Sequence, residues 1–370
     1  MKPTKQSTPY RYTATAILAF FLLSGLAAAE EEVAADDQPE VASTTPATES
    51  EAFSYTFDDI AKNLVLIECK SARGKSAGSG FIAKMDGKTY LFTNQHVILG
   101  ADSISFTTVK GEQLRPTGVE LSQRRDIVRL PLPDREDALE IGTTFGMDMP
   151  LAVFGNSEGA GVATELRGKV TGVGAELLEV SAEFVSGNSG SPVLDKDRNV
   201  IGIASYVRVS QPSRMTENTR FENKVRRFCY RLDGVIWTPV NWKKYNEEHG
   251  KSYRETEALV ESLISIHNGL FEDPFGTIPE NTSDSELKKW SSEHNRMIKH
   301  GGNQLKRDLG NSTEELSTIC ERQMRRIKTT LGKNDLTEFL RDEYEGFSYV
   351  LERVVENLDY LNTKLPSITL

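Results

Sequence analysis

The sequence predicts an all-β region, a barrel or sandwich, followed by a helical bundle. Three observations carry this. Short β-prone runs recur between turn residues from Phe53 to about Val235, with no long amphipathic helix among them. After about Lys251 the apolar period changes from two to three-and-four. Three Ser-x-x-Glu stretches, Ser252/Glu255, Ser283/Glu286 and Ser312/Glu315, stand where helices would start.

The elements follow in order. Lys2, Lys5 and Arg11 precede an apolar run from Ala14 to Leu26 that ends in Ala27-Ala28-Ala29. A basic start, a short apolar middle and small residues before Glu30 read as a secretory signal peptide over residues 1–29, and the run is short for a membrane span. Export to the periplasm or outside the cell, with no stable span after cleavage, is the expectation; an uncleaved anchor is the alternative. Residues 30–52 are acidic and rich in Ala, Thr, Ser and Pro and read as a disordered linker.

Leu64–Ile67 is a strand-length apolar run. Gly78–Ala83 and Thr89–Thr93 flank Asp86-Gly87, a hairpin signal. Further strands are expected over 103–108, 127–132, 151–154, 165–172, 177–182, 200–207 and 227–235, with a polar loop from Arg208 to about Asn223. Helical stripes then run Leu259/Leu263/Ile266, Leu287/Trp290/His294/Met297, Leu316/Cys320/Met324/Ile327/Leu331, and Leu336 through Leu358. The division expected is a β domain over 53–248 and a helical domain over 249–370.

The formal charge is −10, and about −13 without the first 29 residues (41 basic against 54 acidic). That balance argues against a nucleic-acid partner, because little would neutralise phosphates. Cys69, Cys229 and Cys320 are odd in number and far apart, so they form no disulfide framework; three buried thiols, or one pair, are the alternatives. No Cys/His cluster has metal-ligand spacing, and no metal is expected.

The chemistry centres on Ser186-Gly187-Asn188-Ser189-Gly190-Ser191-Pro192-Val193. A serine between two glycines suits a nucleophile on a tight turn with backbone N–H groups beside it, although ordinary turns use the same residues. Serine needs a base, and the base works best when a carboxylate orients it. His96 precedes every other histidine by more than 150 residues, and Asp126 starts a clean apolar alternation. Alone, either is structural more often than catalytic.

Together the motifs resemble the trypsin-like serine protease family, nearest its bacterial HtrA/Deg-type and trypsin-like peptidase domain branches. The resemblance rests on Gly78-Ser79-Gly80-Phe81, Thr93-Asn94-Gln95-His96-Val97, Asp126-Ile127-Val128-Arg129-Leu130, Gly187-Asn188-Ser189-Gly190-Ser191-Pro192 and Gly202-Ile203-Ala204-Ser205-Tyr206. It covers roughly Phe53 to Val240. It implies a double six-stranded antiparallel, chymotrypsin-like β-barrel, followed here by a C-terminal α-helical domain, and a serine endopeptidase acting on polypeptides without a cofactor. It assigns Ser189 as nucleophile, His96 as base, Asp126 as its orienting acid, and the N–H groups of Gly187 and Ser189 as the oxyanion hole. Ser205 and Tyr206 fall on the substrate-binding strand, with Ser205 near Asp126. Gly155-Asn156-Ser157 resembles the family's Gly-Asn-Pro-type loop, which makes Ser157 structural.

Glu183, six residues before Ser189, is counted to the floor of the specificity pocket, where it would favour Lys or Arg; the alternative is an exposed strand residue alternating with Val180, Ala182 and Phe184. The chain departs from Deg-type relatives in showing no PDZ-like carboxylate-binding loop. The helical domain is expected to bind a partner, substrate or second copy. Two other readings stand beside the endopeptidase: a protease-like binding or scaffold protein, and a latent protease opened by a partner on the helical domain.

Overall fold

The computed structural model describes residues 53–209, 219, 221, 224–268, 278–279, 281–300, 303–310 and 312–365. The signal-peptide and linker readings, and most of the 208–223 loop, lie outside the described residues. The described part divides into two compact units: one runs to Arg254 and takes in Thr337–Phe339, the other begins at Glu255.

The first unit opens with a short helix, α1 (Phe57–Ile60), and continues through fourteen strands: β1 (Leu64–Ser71), β2 (Gly74–Met85), β3 (Lys88–Thr93), β4 (Ser103–Thr108), β5 (Val119–Ser122), β6 (Val128–Pro131), β7 (Leu139–Ile141), β8 (Pro150–Gly155), β9 (Thr164–Val173), β10 (Leu177–Val180), β11 (Pro192–Asp195), β12 (Asn199–Val209), β13 (Val225–Tyr230) and β14 (Trp237–Val240). A four-residue helix, α2 (Gln95–Ile98), follows β3. The β2–β3 hairpin turns at Asp86-Gly87, with both residues left-handed (φ 52° and 73°), as the Asp-Gly signal requires.

Two groups of strands emerge. β8, β9, β10, β13, β12 and β11 pair antiparallel in that order, and β11 pairs back to β8, so six strands close into a barrel. Its interior holds Leu151, Val153, Val170, Leu178, Phe184, Val193, Ile201 and Cys229. The other group runs β4-β1-β2-β3-β6-β5-β14, all antiparallel. No strand pairing closes this group among the described residues, so the second six-stranded barrel of the sequence expectation is not resolved. The short β7 joins the groups, pairing parallel with both β2 and β12.

β5, β7 and β14 fall outside the runs expected as strands. β5 and β7 are too short to show alternation. β14 contains Pro239; the proline is tolerated because β14 ends the sheet path and, among the described residues, pairs with β5 alone. All three cysteines are free and buried.

A helix begins directly after β14. Asn241 caps it, its side chain accepting from the Lys244 N–H (3.2 Å). It runs as α3 (Trp242–Tyr245), a π-turn (Asn246–Gly250) and α4 (Lys251–Asn268). Ser252 is therefore inside the helix, not at its N-cap. The other two caps form. Ser283 and Glu286 exchange hydrogen bonds at the start of α5 (Asp284–His300). Ser312 accepts from the Glu315 N–H (3.2 Å) at the start of α7 (Thr313–Leu331), after the short α6 (Asn303–Leu309). α8 (Glu338–Lys364) is the longest helix. The stripe residues Leu259, Leu263, Leu287, Leu316, Cys320, Ile327, Leu340, Phe347, Leu351, Val354 and Leu358 are buried. Among the described residues, no helix is long and apolar enough to cross a membrane.

Candidate active site

The Ser189 loop is held by close backbone packing. Gly187 has φ +86°, and a Cβ there would lie 2.1 Å from the Asn156 carbonyl oxygen. A side chain could neither adopt that conformation without strain nor fit. Ser79, from the Gly-Ser-Gly-Phe stretch on β2, ties the loop down. Its N–H donates to the Ser189 carbonyl (2.8 Å), and its hydroxyl donates to the Gly187 carbonyl (2.8 Å) while accepting from the Asn156 N–H (2.8 Å). The Glu158 N–H donates to the Ser186 carbonyl (2.6 Å), and the Ser157 hydroxyl donates to Asn188 Oδ1 (3.1 Å). Ser157 thus supports the loop, as its structural reading anticipates. Among the described residues, the N–H groups of Gly187 and Ser189 donate to no protein acceptor. Their neighbours Asn188, Gly190 and Ser191 donate to the carbonyls of Val185, Ala204 and Asn188.

His96 and Asp126 meet across the open sheet. His96 Nδ1 and Asp126 Oδ2 are 2.5 Å apart, and the His96 N–H donates to Asp126 Oδ1 (3.0 Å). Asp126 is 4 % exposed, so this pair operates with little solvent screening. The residues before His96 set the approach. The Asn94 side chain donates to the Asp126 carbonyl (2.6 Å), and Gln95 Nε2 donates to the carbonyls of Ser122 and Arg125 (2.9 Å each). Arg125 in turn donates through Nη1 to the carbonyls of Arg231 (2.6 Å) and Asp233 (2.7 Å). Burial holds its guanidinium below the ordinary arginine range.

Ser205 joins the two halves. Its hydroxyl donates to Asp126 Oδ2 (3.0 Å), and its carbonyl accepts from the Ser189 hydroxyl (3.3 Å). It can serve both because the β12–β13 register shifts between Ala204 and Tyr206, a bulge that re-aims the chain at Ser205. Tyr206 stacks on Phe228 (centroids 5.1 Å apart).

Glu183 is exposed between buried Ala182 and Phe184. Arg227 on β13 lies close enough to feel its charge, and Arg227 Nε donates to the Phe184 carbonyl (2.8 Å). Hydrogen bonds therefore run from His96 to Asp126, from Ser205 to Asp126 and from Ser189 to Ser205, with Gly187 in the Ser189 loop and Tyr206 next to Ser205 on β12, while Glu183 faces solvent beside an arginine. Sequence reasoning did not single out Ser79, Asn94, Gln95 or Asn156 as supports. All four lie within the quoted stretches, so the signal was present; their partners are groups far along the chain, which no spacing discloses.

An antiparallel β domain that hydrogen-bonds a histidine to a buried aspartate, beside a serine on a glycine-bounded turn, defines the trypsin-like class of serine proteases. Residues 78–203 match the trypsin-like peptidase domain family, and the chain is a homologue of HtrA/DegP-type proteases. It is 30% identical over 154 residues to a "Probable periplasmic serine endoprotease DegP-like" of Halomonas elongata, covering 37% of this chain and 31% of the relative. It is 26% identical over 148 residues to the "Serine protease Do-like HtrA" of Bacillus subtilis, covering 35% and 33%. The crystal structure of the serine endoprotease from Yersinia pestis aligns with a TM-score of 0.37 at 21% identity, over 51% of this chain and 64% of that one. The chain thus spans about a third of the length of these two curated relatives.

Proposed function

We propose that this protein is an exported serine endopeptidase. The observation that carries the reading is the arrangement around Ser205: its hydroxyl contacts the Asp126 carboxylate that holds His96, and its carbonyl contacts the Ser189 hydroxyl. These contacts link three side chains that lie 30 to 93 residues apart in the sequence. Two backbone N–H groups beside Ser189 supply what an oxyanion needs. The chemistry follows. The Ser189 hydroxyl turns from the Ser205 carbonyl to His96 Nε2, gives it the proton and attacks the peptide carbonyl carbon. The oxyanion is received by the N–H groups of Gly187 and Ser189. His96 returns the proton to the leaving amine, and water, deprotonated by the same imidazole, releases the acyl group. Asp126 keeps the Nδ1 proton in place throughout. The first barrel of the double-barrel scaffold is proposed to be the sheet that carries His96 and Asp126.

The hydroxyl's position on the Ser205 carbonyl favours a second reading, a latent protease whose serine must rotate before it works. Export rests on the basic and apolar character of residues 1–29 and on the periplasmic naming of the Halomonas relative. The helical unit is proposed to bind a protein partner or a second copy.

Fluorophosphonate labelling tests the enzyme reading. The intact protein should be labelled, Ser189→Ala should not be, and His96→Ala should be slowed on the order of 10⁶-fold. Labelling that persists in Ser189→Ala would remove Ser189 as nucleophile. Labelling that appears only after a partner is added would identify the latent form.

A further inference from the structure

α2 is four residues long, so it cannot satisfy its own last carbonyls by continuing. Those carbonyls belong to the segment that carries His96. Their partners come from well beyond the peptidase match at residues 78–203. Arg254, in the first turn of α4, donates through Nε to the Leu99 carbonyl (2.8 Å) and through Nη2 to the His96 carbonyl, with the Val97 carbonyl 3.4 Å from the same nitrogen. Asn246, in the π-turn, accepts the Gly100 N–H on Oδ1 (2.6 Å) and donates Nδ2 to the Ala101 carbonyl (2.8 Å). Lys251 reaches Asp102 (3.3 Å). His96, Val97, Leu99, Gly100, Ala101 and Asp102 are therefore each contacted by the segment 246–254.

The fit leaves no slack. Gly100 has φ +73°, and a Cβ on it would lie 2.2 Å from Arg254 Cγ and 2.7 Å from the Gly250 carbonyl oxygen. The main chain of His96 is held on both sides: its N–H by Asp126 and its carbonyl by Arg254. A guanidinium at the C-terminal end of a short helix also complements the partial negative charge there.

We propose that Arg254 is a positioning residue for His96, and that residues 246–254 complete the peptidase unit by fixing the imidazole's main chain against Asp126. This rests on the reading of His96 as the base. It makes a chain segment outside the recognised domain necessary for the orientation of its base.

The test uses the full-length protein. In Arg254→Ala, fluorophosphonate labelling of Ser189 should slow at least tenfold, and with a peptide substrate kcat should fall while KM stays within about twofold. Added ethylguanidinium should restore the rate saturably, and Arg254→Lys should retain part of it, because one ammonium nitrogen cannot occupy the separate positions of Nε and Nη2. A labelling rate within twofold of wild type, or a loss that ethylguanidinium does not recover while Arg254→Lys is fully active, overturns the proposal. Proton NMR of the low-field His96 Nδ1–H signal gives a readout independent of activity. Its loss in Arg254→Ala and return with ethylguanidinium upholds the positioning role even if wild type is never labelled, an outcome that would sink only the hydrolase reading. An unchanged signal in Arg254→Ala overturns the role.

Discussion

The Ser189 loop and the His96 loop reach the same site by opposite means. Ser189 sits between β10 and β11 of a barrel that closes on itself. Its loop is fixed by backbone groups packed so tightly that Gly187 has no room for a Cβ. His96 follows a sheet whose pairings do not close among the described residues, in a four-residue helix whose carbonyls are met by an arginine some 150 residues later. The supports of the nucleophile's loop, Ser79 included, therefore fall within the peptidase match at residues 78–203, whereas the base's main chain is also held by chain that follows it.

Breaking the first arrangement should have the larger effect. Gly187→Ala forces a Cβ into the Asn156 carbonyl and strains a left-handed residue, so one oxyanion donor should be displaced. Labelling should fall about 10²–10³-fold, the usual loss for one such donor. A rate near wild type would show that the loop tolerates movement and that the contrast with His96 is wrong.

The His96 loop can be probed through pH. Cys69 on β1 donates its thiol to the Val97 carbonyl (3.2 Å), and burial pushes that thiol up to about 11. An unfolded cysteine ionises near pH 8.5. As pH rises past that value the unfolded state loses its proton first, so stability is full below about 8.5 and falls until about 11. The loss should reach on the order of 2–3 kcal/mol by pH 11. Urea melts of wild type and Cys69→Ala should converge over that range. Curves that stay parallel would mean that the thiol is not buried against the loop.

The smallest effect should come from Glu183. Arg227 opposes its charge and Glu183 is exposed, so Glu183→Gln should change the ratio of Lys/Arg to Leu reporter cleavage by less than about threefold, as expected of one solvent-screened charge. A tenfold drop would restore Glu183 as the specificity determinant and make the barrel mouth, not the His96 side, the more finely tuned part.

Much of this was legible because it is local. Apolar alternation marked β1, β4, β8, β9 and β12, Asp86-Gly87 marked the hairpin, and Ser283 and Ser312 marked their helices. The motifs around His96, Asp126 and Ser189 carried the site. Ser252 misled because the capping pattern is identical inside a helix, and only the preceding π-turn shows that the helix has already begun. Glu183 was placed by counting along the chain, a measure blind to the arginine that β13 brings beside it.

The sequence by itself determined the order of β and helical regions and the residue types able to do acyl-transfer chemistry, since both follow from side-chain period and intrinsic reactivity. The tertiary structure decided which backbone groups hold those residues. Ser79 under Ser189, Asn94 and Gln95 on the Asp126 loop, and Arg254 behind His96 all bind carbonyls or N–H groups. Every residue possesses these, so no side-chain pattern can announce which ones will be met.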